Sequence, residues 1–244
     1  MAERNGDPFP HAIVGGVLPG RVYEQFCADF PATVSLVPVA QRHPKGGYPE
    51  ARLSLQTIED GIPGTAGVDT PSLVRVAAML ADPVTGRALI ERFSDIIAPR
   101  IPPALAREGI WIGASVEMIR DESGFALRPH TDGRRKLVTA LLYAPEPGSS
   151  EDLGTELYAP MVNAATSDGT GYFDPSQFER RAKAPYVANT MIAFARTDRS
   201  FHGVAAVAPG SVRRLIQISF LALKAPAPEA RFAFRWTPEP RDLC

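Results

Sequence analysis

The chain is 244 residues long and carries 26 Lys plus Arg against 27 Asp plus Glu, a formal net charge of −1. That balance lacks the basic excess of a polyanion binder, so nucleic acid is not expected as a partner. With 45% hydrophobic and 22% charged residues, and no apolar run near the ~18 residues of a membrane span, no membrane partner is expected either.

Two cysteines, Cys27 and Cys244, exclude a disulfide framework, and no secretion signal is read in the first residues, so a cytoplasmic location is expected. The 24 prolines, roughly twice the usual ~5% share, are scattered and favour many turns over a long helical bundle. In chain order, the first predicted helix follows Pro19-Gly20, with Tyr23, Phe26 and Phe30 on one stripe. From 42 to 67 the turn-rich stretches HPKGGYP and EDGIPG predict a long loop holding a short strand at 52–55. Asp69 and Thr70 supply capping side chains ahead of Pro71, and Leu73, Val76, Ala77 and Leu80 form the face of a second helix. Asp82-Pro83 restarts the pattern, and Leu89, Phe93, Ile96 and Ile97 stripe a third helix that Pro99 stops.

After Pro103 the texture becomes β, with runs at 111–120, 137–143, 155–158, 190–195, 204–207 and 213–223 bounded by Gly, Pro, Asp and Asn. Six or more such strands suit two packed antiparallel sheets. The expected fold is mainly β with flanking helices around a double-stranded β-helix, or jelly-roll, core that leaves an open mouth for a ligand. One domain is expected over 1–244: a helical and loop buttress at 1–103, the jelly-roll core at 104–224 and a C-terminal tail at 225–244.

Four histidines are present. His11 heads an apolar run and reads as structural, while His43 sits in a polar loop, solvated or at the mouth of a site. His130 and Asp132 are separated by one residue, so in extended backbone both side chains leave the same face and can converge on one ion. An Asp-Gly bend with an incidental histidine explains the same residues. His202 comes late enough for an antiparallel roll to return it beside that pair. Two imidazoles and a carboxylate on one side of an ion leave positions open, the arrangement of non-haem iron(II) oxygenases, whereas structural zinc commonly uses thiolates that this chain lacks near the site. Arg213 and Arg214 then open a strand on which Arg213, Leu215, Gln217 and Ser219 share one face and Arg214, Ile216, Ile218 and Phe220 the other. A guanidinium on the inward face would pair bidentately with a carboxylate.

His130-Thr-Asp132, His202 in SFHGVAAV, and Gly-x-x-Arg-Arg-Leu-Ile-Gln-Ile-Ser-Phe together resemble the iron(II)- and 2-oxoglutarate-dependent dioxygenases, particularly the prolyl-4-hydroxylase-like branch. The opening FPHAIVGGVLPGRVYEQFCADFP is similar to the entry segment of bacterial members, and KLVTALLYAPEP with GTELYAP to their central strands. The likeness covers most of the chain, firmest at 128–221 and thin at 42–100. It implies Fe(II) held by His130, Asp132 and His202, 2-oxoglutarate and O2 as co-substrates, and a basic residue on the 5-carboxylate. That residue is Arg213, or Arg214 if the register slips by one; where the family often has Ser two residues later, this chain has Leu215. The implied activity is hydroxylation of a small metabolite or amino-acid-like substrate, with decarboxylation of 2-oxoglutarate to succinate and CO2. Desaturation, epoxidation and ring formation use the same ligands, whereas halogenases of this kind replace the carboxylate that Asp132 supplies. A protein or peptide prolyl hydroxylase and a non-catalytic ligand-binding β-roll are the alternatives.

For substrate contacts, Arg128, two residues before His130, and Gln217 are expected. Arg120, Arg134, Arg135, Lys136, Arg196 and Arg199 lie near the ends of the site strands, where an anionic substrate would use some of them, although a solvated surface is the plainer reading. The segments 43–67 and 146–174 are candidate lids, and the sequence assigns no oligomeric state.

Overall fold

The computed structural model describes residues 3–43, 47–64, 70–162 and 165–239. Strands β1 (Arg4–Asn5) and β2 (His11–Gly15) precede α1 (Gly20–Ala28), β3 (Val37–Pro38), α2 (Val39–Arg42), β4 (Arg52–Glu59) and β5 (Ile62–Pro63). Helices α3 (Pro71–Ala81), α4 (Pro83–Arg92), α5 (Ser94–Ile97) and α6 (Pro103–Glu108) follow. The remaining strands are β6 (Ile110–Asp121), β7 (Leu127–His130), β8 (Lys136–Tyr143), β9 (Glu156–Pro160), β10 (Phe178–Lys183), β11 (Thr190–Ala195), β12 (Phe201–Val204), β13 (Arg213–Leu223) and β14 (Ala233–Trp236).

Period-two alternation divides the long strands between two interiors. Ile216, Ile218 and Phe220 of β13, Ala114, Val116 and Met118 of β6, and Val138, Ala140 and Leu142 of β8 face the helices and pack with Phe26, Leu73, Val76, Ile90 and Phe93. The opposite faces contribute Leu215, Ile119, Leu141 and Tyr143 to a second core, shared with Leu127, Leu157 and Val204 of the other sheet. The larger sheet runs β1-β2-β11-β8-β13-β6-β4-β3, and the smaller runs β10-β9-β12-β7. The quartets β11-β8-β13-β6 and β10-β9-β12-β7 are the two layers of a double-stranded β-helix, and the helices buttress the outer face of the larger one. Gly86 of α4 shows how close that buttress sits: a Cβ there would come within 2.6 Å of the Phe220 ring and 2.7 Å of the Phe234 ring.

Several elements differ from the sequence expectation for identifiable reasons. The third helix is split at Phe93, whose φ of −120° and ψ of 20° end α4 before α5 begins; at its start the Asp82 carboxylate accepts from the Val84 N–H at 2.8 Å. Asp69 and Cys244 lie outside the described residues, and the Thr70 side chain makes no cap hydrogen bond. Strand β4 runs on to Glu59, paired with β6 as far as Ile58, and its polar inward face hides that length from an apolar pattern. Strand β10 is a charged edge strand, and β7 contains Pro129, so neither shows alternation. Pairing places β12 at Phe201–Val204 rather than 204–207, since Phe201, His202 and Gly203 are in register with β9. The expected C-terminal tail returns as β14, which pairs with Ile110 to Gly113 of β6 and buries Phe234 and Trp236. Among the described residues no helix is long and apolar enough to cross a membrane.

Candidate metal centre

The pairing of β7 with β12 builds the site. His130 stands opposite His202, but the register then slips, so that Leu127 stands opposite Val204: three steps along β7 match two along β12. This bulge inverts the inward-outward parity of β7. Leu127 and His130 both line the cavity between the sheets, whereas Arg128 is exposed and lies outside that lining. The expectation of an inward Arg128 assumes uninterrupted strand parity, which the bulge removes.

The two imidazole rings lie 4.4 Å apart between centroids. Their Nδ1 atoms are committed to backbone carbonyls, His130 to Arg128 and His202 to Ser200, each at 3.0 Å. A carbonyl only accepts, so each Nδ1 carries the proton and each Nε2 keeps a free lone pair. Asp132 lies two residues past the end of β7 and is 8% exposed. Its Oδ2 accepts from Thr139 Oγ1 at 2.6 Å, and its Oδ1 from Lys136 Nζ at 2.7 Å. The ligand atoms of His130, Asp132 and His202 all lie within 4.8 Å of one another. The backbone is fixed as well: Arg196, buried beneath the site, donates from Nε to the Asp132 carbonyl at 3.0 Å and from Nη2 to the Ser167 carbonyl at 3.1 Å. Arg196 thus holds the loop rather than facing substrate. Gly169 meets the same loop at φ +92°, and a Cβ there would lie 2.3 Å from the Asp132 carbonyl oxygen.

Electrostatics put these groups in ligating form. Burial, reinforced by His202 and opposed by Asp132, pushes the His130 imidazolium down to about 3. Burial also lowers His202 against the pull of Asp132. For Asp132 burial acts upward, but Lys136 and the two imidazoles outweigh it and hold the carboxyl well below its usual range. Two neutral imidazoles and one carboxylate, convergent from one side, fit the donor set of a non-haem iron centre with open positions.

The cavity is about 1130 Å³. At its deep end the registers of β4, β6 and β13 place Arg52, Asp121 and Arg213 in one row. Asp121 is 0% exposed, Arg213 1% and Arg52 7%. Arg213 Nη1 donates to Asp121 Oδ2 at 2.7 Å, while Arg52 grips both carboxylate oxygens, Nε to Oδ1 at 2.7 Å and Nη2 to Oδ2 at 2.9 Å. Arg213 also donates to the Leu153 carbonyl at 2.6 Å and to Thr155 Oγ1 at 3.2 Å. One carboxylate thus serves two buried guanidiniums, which leaves a surplus positive charge among the described residues. Arg214 points to the helical side, where its Nε donates to the Ala144 carbonyl at 3.1 Å and its guanidinium lies 4.9 Å from the centre of the Phe30 ring. Gln217 lines the cavity in the row of Glu117 and Gln56. Of the other basic residues, Arg134, Arg135 and Lys136 line it, and Arg135 pairs with Asp60 at 2.8 Å. His11 is buried against Phe9 and Phe194, away from the cavity, and His43 lines the mouth. Parts of both candidate lids border the cavity, Gly47 and Tyr48 from one and Thr170 to Tyr172 from the other. Arg52, Thr139 and Glu117 also line the cavity, and the only sequence signal for Arg52 is a charge at the start of a predicted strand.

No protein-family model matches the sequence, and no curated protein does. Solved structures do match the fold. A Pseudomonas putida prolyl-4-hydroxylase is 14% identical, with a TM-score of 0.54 over 86% of this chain and 91% of that one. SnoN, a non-haem α-ketoglutarate-dependent epimerase from nogalamycin biosynthesis, is 14% identical, with a TM-score of 0.55 over 86% and 76%. A Trichoplax adhaerens prolyl hydroxylase, solved with a hypoxia-inducible-factor peptide, is 13% identical, with a TM-score of 0.50 over 91% and 85%. At these identities the likeness is one of fold.

Proposed function

We propose that the chain is a single-domain iron(II)- and 2-oxoglutarate-dependent oxygenase that hydroxylates a small molecule. The observation that carries this reading is the pairing, in one cavity, of the His130, Asp132 and His202 donor set with two buried guanidiniums that share a single carboxylate. In the loaded enzyme, Nε2 of each histidine and one Asp132 oxygen would hold the iron, which would supply the site for O2 activation. The overall reaction converts substrate, 2-oxoglutarate and O2 to hydroxylated substrate, succinate and CO2.

The chain's own residues do the positioning. Arg213, with Arg52 beside it, receives the distal carboxylate of the dicarboxylate, whose charge offsets their surplus. Thr139 fixes the rotation of the Asp132 carboxylate, and the Arg128 and Ser200 carbonyls fix the imidazole tautomers. Leu127, Leu141, Val204 and Leu215 form apolar wall between the two charged ends and limit water there. The two cysteines of the sequence support a cytoplasmic setting.

The test is anaerobic titration of the protein with Fe(II) and 2-oxoglutarate, read by the visible metal-to-ligand charge-transfer band. We expect a band in wild type and none in Asp132→Ala. Succinate release is then screened over small acids, neutral metabolites and proline peptides. Folded, metal-exposed wild type without a band overturns the reading, and turnover of peptides alone replaces the small-molecule assignment with a peptide hydroxylase.

A further inference from the structure

Most of the cations that line the cavity have a carboxylate partner outside the metal-ligand set. Arg42 meets Glu117 at 2.6 Å, Arg135 meets Asp60 at 2.8 Å, and Arg134 reaches Asp168 at 3.8 Å. Arg52 and Arg213 share Asp121, each at 2.7 Å, and their surplus charge is the one assigned above to the distal carboxylate of 2-oxoglutarate. The remaining cation, Lys136, is different in kind. Its side chain is 21% exposed, it lines the cavity, and its ion-pair partner among the described residues is Asp132, at 2.7 Å. That partner is a member of the metal-ligand set. In this geometry the ammonium is a cation that Asp132 holds. A divalent ion on the same carboxylate takes up that negative charge and sets two cations against each other across one ligand.

We propose that metal loading releases Lys136 from Asp132 and makes it the recognition point for a carboxylate on the primary substrate, which is therefore a small monocarboxylic acid. This inference rests on the oxygenase reading above. Released from Asp132, the ammonium keeps only the influence of Glu117, which already pairs with Arg42, so it matches one further negative charge, which a monocarboxylate supplies and a phosphate dianion exceeds. Because Nζ lies 2.7 Å from an oxygen of a metal-ligating residue, the substrate carboxylate binds beside the reacting carbon rather than at the cavity mouth. The wall next to Lys136 supplies the remaining contacts. Strand register puts Ser219 opposite Thr139 and Leu221 opposite Lys136, and Gln217 follows along the same face of β13. Among the described residues no hydrogen bond engages the Gln217 or Ser219 side chain, and both line the cavity, where they meet polar groups of the same molecule.

The experiment uses the full chain as wild type, Lys136→Met and Lys136→Arg. Mn(II) alone is titrated first. Lys136→Met should bind it several-fold more tightly than wild type, because a competing cation is gone; weaker binding would show that Lys136 merely supports Asp132 and would overturn the proposal. Next, the Fe(II)–2-oxoglutarate charge-transfer band is recorded anaerobically with short aliphatic, aromatic and amino acids and their primary amides. In wild type and Lys136→Arg, acids should shift the band and the matching amides should not. In Lys136→Met the band should still form, and the acids should need at least tenfold higher concentration to shift it. Amides as effective as acids in wild type, no acid shifting the wild-type band, or unchanged acid binding in Lys136→Met would each overturn the proposal. A band absent from wild type would instead sink the oxygenase reading beneath it. The acid-against-amide comparison needs no variant, so it stands even if Lys136→Met fails to fold.

Discussion

Asp121→Asn tests the deep end of the cavity. The native carboxylate is fully buried and accepts three guanidinium N–H bonds at 2.7, 2.7 and 2.9 Å. Asparagine keeps the shape but turns one acceptor into a donor facing a donor, and it removes the anion that separates Arg52 from Arg213. Removing one partner of a buried ion pair costs about 3–5 kcal/mol. At roughly 2–4 °C per kcal/mol for a chain of this size, that lowers Tm by about 10 °C. A bound dicarboxylate brings the lost charge back. Ligand at 100 times its Kd stabilises the native state by about 2.7 kcal/mol, and the variant, with more uncompensated positive charge, should have the lower Kd for 2-oxoglutarate. Thermal melts of the Mn(II)-loaded proteins, with and without 2-oxoglutarate, measure both effects. We expect a large loss of Tm without ligand and a larger ligand-induced gain than in wild type. A Tm loss equivalent to less than about 1 kcal/mol would refute the claim that Asp121 holds two buried cations apart. A ligand gain no larger than that of wild type would refute the placement of the distal carboxylate beside Arg52 and Arg213.

Thr139→Val removes the hydroxyl that orients Asp132 Oδ2 while keeping the side-chain volume. Loss of such a support should weaken Mn(II) binding about 10- to 100-fold with little change in Tm, and unchanged affinity in a direct titration would show that Thr139 does not set the ligand. Metal binding should also resist acid. His130 is held near 3, and His202 and Asp132 lie below their usual values, so none of the three binds a proton at neutral pH. The proton competes only as pH falls through these lowered values, so Co(II) affinity should fall only below the pH at which ordinary imidazoles take up protons. Ordinary imidazoles near 6.5 would instead begin to lose affinity at that point, and a loss of tenfold or more between pH 6.5 and about 5.5 refutes the lowered values.

What the sequence reveals and what it hides follow from the length scale on which each feature is encoded. The one-residue spacing of His130 and Asp132 and the alternation from Arg213 to Ser219 are local, and both survive folding: the ligands converge, Arg213 faces inward, and Arg214 lies on the helical side. Arg128 falls outside the cavity lining because the same local rule fails at one bulge, which the sequence marks only by Pro129. Arg52 is hidden, and Lys136 is left undistinguished among the basic residues near the site, for another reason. A charged residue at the end of a strand looks the same whether it meets water or a buried carboxylate, and the difference lies in which strand stands beside it. Arg52 matters because β4 abuts β6 in the register that sets it against Asp121, some seventy residues later in the chain. Lys136 matters because the turn after Asp132 brings it back onto the carboxylate four residues earlier. Both cations owe their role to a single anion that they share with something else, Asp121 with Arg213 and Asp132 with the ion it would hold. The two ends of the cavity thus follow one rule: each carboxylate is one negative charge short of its neighbours, and the ligand is expected to carry the missing charge.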